Sequence, residues 1–228
     1  MAEQLSGAAG GGFRRPDGPE LVARLHLLLG DSVASRAPLA ATKDEDRILC
    51  RARGGETWSS LLPHLDADLR AWREEARLRE CQLGEVILWL SGNDVYSRLT
   101  GLPSFGEKKL HEVGRLAEEA LSRLTRQGMQ VTVLGPLPRP DGEVTGAQWS
   151  HTAAFHLERR LVAVSRDRLQ DQRIRVCGLG RALTKKLDGR KRLENCGEYF
   201  MRDGIHLSVC GYQKVAQCES FPQWLSLG

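Results

Sequence analysis

The sequence predicts an α/β domain built on a parallel sheet with helices on both faces. Three observations carry this. Apolar runs such as Leu27-Leu28-Leu29 and Val86-Ile87-Leu88-Trp89-Leu90 break off at small polar turns, Gly30-Asp31-Ser32 and Ser91-Gly92-Asn93-Asp94. Unbroken apolar runs, as opposed to alternating ones, mark strands buried on both faces. Between these runs lie long segments with apolar residues at three- and four-residue spacing. Strands alternating with helices close by right-handed crossovers into a parallel sheet, whose sites form at the carboxyl ends of the strands.

Residues 1–19 read as a flexible tail, with Gly-Ala-Ala-Gly-Gly-Gly followed closely by Arg-Arg-Pro-Asp-Gly-Pro. Residues 20–228 read as one domain. Leu21 to Leu29 is the first strand and ends at the Gly-Asp-Ser turn; a loop with Pro38 follows. Arg47-Ile48-Leu49-Cys50 is a short second strand leading to Gly54-Gly55. Trp58, Leu61, Leu62, Leu65, Leu69 and Trp72 then mark one apolar helix face. Pro63 places the regular start of that helix at the proline, where the ring is tolerated, and Gly84 its end. Glu85 to Leu90 is the central strand. Glu107 to Arg126 is a helix that stops before Gly128, and Val131-Thr132-Val133-Leu134 is the fourth strand. His151 to Gln172 is the next helix and Ile174-Arg175-Val176-Cys177 the fifth strand. A basic loop, Lys185 to Arg192, precedes a last helix from Ser208 to Trp224 with Gly211 near its start.

With 228 residues, 41% hydrophobic and 27% charged, the chain suits a soluble domain with a sizeable core. A formal net charge of only +4, with both signs mixed, is not the composition of a dedicated nucleic-acid binder. No run approaches a membrane span, and Met1 to Gly12 does not resemble a signal peptide, so an intracellular setting, cytoplasmic or nuclear, is expected. The cysteines (Cys50, Cys81, Cys177, Cys196, Cys210, Cys218) form no Cys-x-x-Cys pair. They are expected to be reduced and mostly buried, with no zinc site.

The Gly30-Asp31-Ser32 turn puts a hydroxyl where a helix can begin. Backbone N–H groups are unpaired at a helix start and favour an anion. A nucleophilic serine needs that setting, because its attack creates an oxyanion. The same residues also read simply as a helix cap. Asp203-Gly204-Ile205-His206 offers a base and its orienter, since one tight turn through Gly204 brings the carboxylate to the far imidazole nitrogen. It also reads as an Asp cap beside a surface histidine. Gly54-Gly55 and Asn93-Asp94 read either as turns or as donors to an oxyanion.

Taken in order, Gly-Asp-Ser, a glycine turn, Asn-Asp after a central strand, and Asp-x-x-His near the end resemble the SGNH hydrolases, also called GDSL-type esterases. The resemblance spans Leu21 to the C-terminus. It implies a flavodoxin-like three-layer α/β/α sandwich with a five-stranded parallel sheet, and hydrolysis of carboxylic esters without metal or cofactor. It implies Ser32 as nucleophile, His206 as general base and Asp203 as orienter of His206. The Ser32 N–H, the Gly55 N–H and the Asn93 amide would form the oxyanion hole, with Gly55-Glu56-Thr57 resembling the family's Gly-x-Thr. Two departures stand out. The family's Gly-x-Asn-Asp here has Ser91 at its first position and glycine at 92, and Val-Ala-Ser follows Ser32. Within the family the chain is most similar to the esterase-like domains of vertebrate retrotransposon proteins, on Trp89 to Arg98 and on Arg51 to Trp58.

His64, His111, His151 and His156 lack metal-ligand spacing. Lys185, Lys186, Arg190, Lys191 and Arg192 form a basic cluster that reads as a solvated loop or as a contact for nucleic acid or anionic lipid. Gly178-Leu179-Gly180 lacks the third glycine of a dinucleotide fingerprint, and neither a phosphate-binding loop nor a Gly-x-Ser-x-Gly elbow is present. The tryptophans read as core, with Trp149 and Trp224 also available to a substrate cleft. Two functions follow as expectations: a serine esterase acting on short-chain acyl, acetyl or lysophospholipid esters, or an inactive SGNH-like interaction domain.

Overall fold

A computed structural model describes residues 23–97, 100–140, 148–167, 172–187, 189–192 and 196–227. The expected tail, 1–19, and the first residues of the expected strand, Leu21 and Val22, lie outside the described residues. One sheet holds five parallel strands: β1 (Arg24–Gly30), β3 (Arg47–Cys50), β4 (Gln82–Trp89), β5 (Val131–Leu134) and β6 (Ile174–Cys177). Their spatial order is β3-β1-β4-β5-β6. The expected α/β architecture is therefore the observed one.

The apolar runs divide between two faces because successive side chains point opposite ways along a strand. Leu25, Leu27, Leu29, Val86, Leu88, Leu90, Val131 and Val133 pack with helices α2 (Trp58–Leu78), α3 (Glu107–Arg126) and α4 (Ala153–Asp167). Leu28, Ile87, Trp89 and Leu134 face the other way. They meet α1 (Ser32–Arg36), α5 (Val209–Ala216) and the C-terminal segment. Both faces are filled, which is why the runs are continuous and not alternating.

Several boundaries differ from expectation, each for a local reason. Helix α2 begins at Trp58, ahead of Pro63, which sits inside it. A capping box starts it: the Thr57 hydroxyl accepts from the Ser60 N–H, and the Thr57 N–H donates to Ser60 Oγ. It ends at Leu78, well before Gly84, which lies within β4. Glu80 takes the left-handed conformation (φ 56°) that glycine usually supplies at a helix end. The Cys81 and Glu80 N–H groups close back on Ala76 and Arg77 carbonyls. A glutamate in that place carries no sequence signal for a stop.

Helix α4 spans Ala153–Asp167; His151 belongs to a preceding 3-10 turn, Trp149–His151, residues 168–171 of the expected helix lie outside the described residues, and Gln172, its expected end, stands in the turn before β6. The last helix is only Val209–Ala216: the Cys218 N–H turns back to the Val215 carbonyl, and Pro222 keeps the helix from resuming before Trp224. The chain then forms β9 (Leu225–Leu227), antiparallel to β2 (Leu39–Ala41), a strand inside the expected Pro38 loop.

The expected basic loop is a two-stranded ribbon, β7 (Lys185–Leu187) paired with β8 (Arg190–Arg192). Asp-Gly between two short runs is a hairpin signal that the density of charge obscured. Among the described side chains the cysteines are not mostly buried: Cys177 is, but Cys50 and Cys210 are exposed and Cys81 and Cys218 half-buried, all of these free, while the Cys196 side chain lies outside those described. No helix among the described residues is long and apolar enough to cross a membrane.

Candidate active site

β1 is flanked by β3 on one side and β4 on the other. The chain thus leaves β1 in opposite directions, the arrangement in which open parallel sheets place their sites at the carboxyl ends of the strands. Gly30-Asp31-Ser32, Gly54-Gly55 and Ser91-Gly92-Asn93 all follow those ends.

Ser32 is the first residue of α1, and Asp31 is the helix cap, its carboxylate accepting from the Val33 N–H at 2.9 Å. The cap reading holds, on Asp31, and Ser32 stands at the helix start. Ser32 Oγ lies 2.8 Å from His206 Nε2. His206 Nδ1 lies 2.6 Å from Asp203 Oδ2. The other oxygen of Asp203 accepts from the Ile205 and His206 N–H groups at 2.9 and 3.0 Å, with Gly204 in the left-handed region (φ 62°) between them. Partial burial works to raise the Asp203 pKa. The bonds from the His206 ring and the two backbone N–H groups outweigh it and hold the carboxyl at about 2. The carboxylate therefore stays charged through the neutral range and selects the imidazole tautomer with a hydrogen on Nδ1. The Tyr212 hydroxyl, from α5, donates to the Val33 carbonyl at 2.7 Å and ties the histidine loop's helix to the serine's helix.

Asp31 does more than cap. It is fully buried, and its second oxygen accepts from the Ser91 N–H (2.8 Å), the Ser91 hydroxyl (2.5 Å) and the Asn93 side-chain amide (3.1 Å). Asn93 Nδ2 also donates to the Glu56 carbonyl at 3.0 Å, which joins Asn93 to the Gly54–Glu56 turn. Both amide hydrogens of Asn93 thus rest on protein acceptors, a constraint the sequence did not reveal. Gly55 has φ 71° and Gly92 φ 138°, values that a side chain strains, so the glycine at 92 is required by this turn. Ser91 supplies two of the bonds that hold the turn. Ser91→Gly is expected to cost about 2 kcal/mol, from a lost bond to a charged acceptor and added chain entropy. Urea unfolding measures it.

Further side chains set the turns. Fully buried Asp68 of α2 binds Arg53 bidentately (2.7 and 2.7 Å) and Arg51 at 3.0 Å, fixing the segment that leads to Gly55. Burial tends to raise its pKa, but the two guanidiniums prevail and lower it. Asp94 accepts from the Trp58 N–H at the start of α2 (3.2 Å). Burial, with Asp31 adding to it, pushes its pKa up to about 7, against the Trp58 N–H and Lys109.

The Asp94 carboxyl binds a proton more readily folded than unfolded, where its value is 3.8. Its contribution to stability is thus present below about pH 4 and lost as pH rises towards 7. Asp94→Asn should remove that loss. The stability difference between wild type and variant, from urea unfolding at pH 5 and 7.5, is expected to move in the variant's favour at the higher pH. Glu158, also raised to about 7, is common to both proteins and cancels.

Other expected residues lie elsewhere. Trp149 is buried against Phe155, and Trp224 stacks on His26 in the first half of β1, away from the strand ends. His156 stacks on Phe105. Among the described residues no group of three His, Cys, Asp or Glu could hold a metal ion.

This fold is shared with solved structures. A Streptococcus pneumonia protein assigned as a platelet activating factor is 18% identical, with 87% of this chain and 83% of that one covered and a TM-score of 0.55. A Parabacteroides merdae protein assigned as a GDSL-like lipase is 14% identical, covering 84% and 91%, at 0.56. An acetyl xylan esterase is 14% identical, covering 84% and 96%, at 0.51. No protein-family model matches the chain, and no curated protein matches it by sequence. At these identities the likeness defines the fold: a five-stranded parallel α/β sandwich of the kind found in GDSL-like lipases.

Proposed function

We propose that the chain is a serine hydrolase of carboxylic esters of the SGNH/GDSL type. The observation that carries this is the continuous chain from Ser32 Oγ through His206 to Asp203, joining residues 174 positions apart in sequence at 2.8 and 2.6 Å. A helix cap beside a surface histidine gives no physical reason for that alignment.

In this reading His206 Nε2 accepts the Ser32 proton as Oγ attacks the ester carbonyl. The carbonyl electrons move to oxygen, where the N–H groups of Ser32 and Gly55 and the Asn93 amide meet the developing charge. Asn93 does so by sharing the hydrogen that rests on the Glu56 carbonyl. The protonated His206 returns its proton to the leaving alcohol, and water then releases the acyl group by the same route. Asp203 stays ionised throughout and stabilises the imidazolium. The reaction needs no metal or cofactor. Short-chain acyl, acetyl and lysophospholipid esters are the substrate classes to try. Fluorophosphonate labelling of the purified protein, with hydrolysis of p-nitrophenyl acetate and butyrate, tests it. Labelling confined to Ser32 and dependent on His206 supports the reading; an unlabelled, folded protein sinks it.

A second reading makes the domain an inactive interaction module working inside the cell, in cytoplasm or nucleus. It rests on the exposed Lys185, Lys186 and Arg190 of the β7–β8 ribbon, which also contains Lys191 and Arg192, and on the sequence resemblance to retrotransposon esterase-like domains. It predicts RNA binding that falls steeply with salt, read from titrations at 50 and 200 mM salt. Binding insensitive to salt, or to replacing Lys185, Lys186 and Arg190 with glutamine, counts against it. Anionic vesicles in place of RNA separate a lipid contact from a nucleic-acid contact.

A further inference from the structure

Arg139 lies in the segment after β5, a few residues beyond Leu137, whose N–H donates to the Ser91 carbonyl at 2.8 Å. Its residue is only 5% exposed. Its guanidinium stands 4.9 Å over the Tyr96 ring and donates from one terminal nitrogen to Asn93 Oδ1 at 2.7 Å. Among the described residues no carboxylate lies within ion-pair distance of it. Burial lowers its pKa, and Tyr96, Asp31 and Asp203 favour its charge only from a distance. A buried cation is ordinarily paired with an anion; this one is spent on the oxygen of a neutral carboxamide.

We infer that Arg139 is a positioning residue for ester hydrolysis, acting through Asn93 to strengthen the amide donor that Asn93 shares with the oxyanion. The inference rests on the serine-esterase reading. The guanidinium binds the negative end of the Asn93 amide dipole. That settles which end of the side chain faces Arg139 and which faces Asp31 and Glu56. It also draws electron density towards Oδ1, which leaves the Nδ2 hydrogens more positive. Hydrogen bonds in a chain polarise one another in this way. The effect grows with the charge at the far end. The substrate carbonyl is neutral, whereas the tetrahedral intermediate carries a full negative charge, so the gain appears in the chemical step and not in substrate binding. Asn93 profits especially, because its hydrogens already have acceptors and one must be shared.

The test is a double-mutant cycle on the full chain with p-nitrophenyl acetate. Arg139→Gln, which keeps a donor but loses the charge, should lower kcat about tenfold and leave KM within about twofold. In an Asn93→Ala background the same change should alter kcat by less than about twofold, because the path through Asn93 is gone. Arg139→Lys, which keeps the charge, should retain more activity than Arg139→Gln. The side-chain amide resonance of Asn93, assigned by its loss in Asn93→Ala, should shift in Arg139→Gln. An equal loss in the Asn93→Ala background overturns the inference, as does a change confined to KM, a lysine variant worse than the glutamine variant, or an unmoved Asn93 resonance. If Arg139→Gln does not fold, Arg139→Lys is carried through the same cycle, and an equal loss with and without Asn93 overturns it. Failure of the esterase reading looks different: wild type itself shows no Ser32-dependent turnover, and this inference falls with it.

Discussion

Ser32→Ala is expected to remove ester hydrolysis and fluorophosphonate labelling, lowering kcat by about 10⁴- to 10⁶-fold. The reason is chemical and specific. Oγ is the only atom of the site placed both at a helix start and 2.8 Å from a histidine nitrogen whose other nitrogen is held by a carboxylate. His206→Ala should cost nearly as much, and the double variant little more than either alone, because nucleophile and base act as a unit. Asp203→Asn leaves the geometry but lets the imidazole take the wrong tautomer, a change expected to cost up to about 10⁴-fold. Ser32 sits at a helix start whose cap is Asp31, so its replacement leaves the cap bonds in place. Thermal unfolding of Ser32→Ala close to wild type, with activity gone, identifies the loss as chemical. Residual turnover within tenfold of wild type would falsify the assignment of Ser32. The pH profile adds a check: with Asp203 held at about 2, an acid limb above about pH 4 does not belong to Asp203.

Asp31→Ala is expected to be the most damaging change to the architecture, at about 3 kcal/mol. Two contributions add. Loss of the α1 cap costs about 1 kcal/mol. Leaving the buried Ser91 N–H and hydroxyl without their acceptor costs about 2 kcal/mol. Asp31 is fully buried, so water does not replace the missing oxygens. Activity should fall as well, because Asp31 joins the Ser32 turn to the Ser91–Asn93 turn. Asp31→Asn makes a sharper probe: one end of an amide still accepts from Val33, but the other then points hydrogens at the Ser91 donors. Urea midpoints of wild type and the two variants measure the effect, and a shift below about 0.5 kcal/mol for Asp31→Ala would show that the turns hold without this carboxylate.

The strands of the central sheet were legible because they are buried on both faces, and burial on both faces writes an unbroken apolar run into the chain. Ser32, Asp203 and His206 were legible for a related reason: a strand end, a helix start and a tight Asp-to-His turn are each local, and local geometry leaves local signatures. Sequence alone also indicated that Asn93 and Gly55 lie on the same edge of the sheet, through the order of strands and turns. What escaped it was set by neighbours distant in the chain. Glu80 ends α2 in a glycine-like conformation, β2 becomes a strand only because β9 reaches it, and Ser91 holds its turn by binding Asp31, 60 residues earlier. The single donor from Arg139 to Asn93, across 46 residues, belongs to the same class. Periodicity and turn chemistry act over a few residues and can be read from order alone. A hydrogen bond between two turns exists only once the sheet has brought their strands side by side, and that pairing, not any stretch of sequence, decided how this site is held.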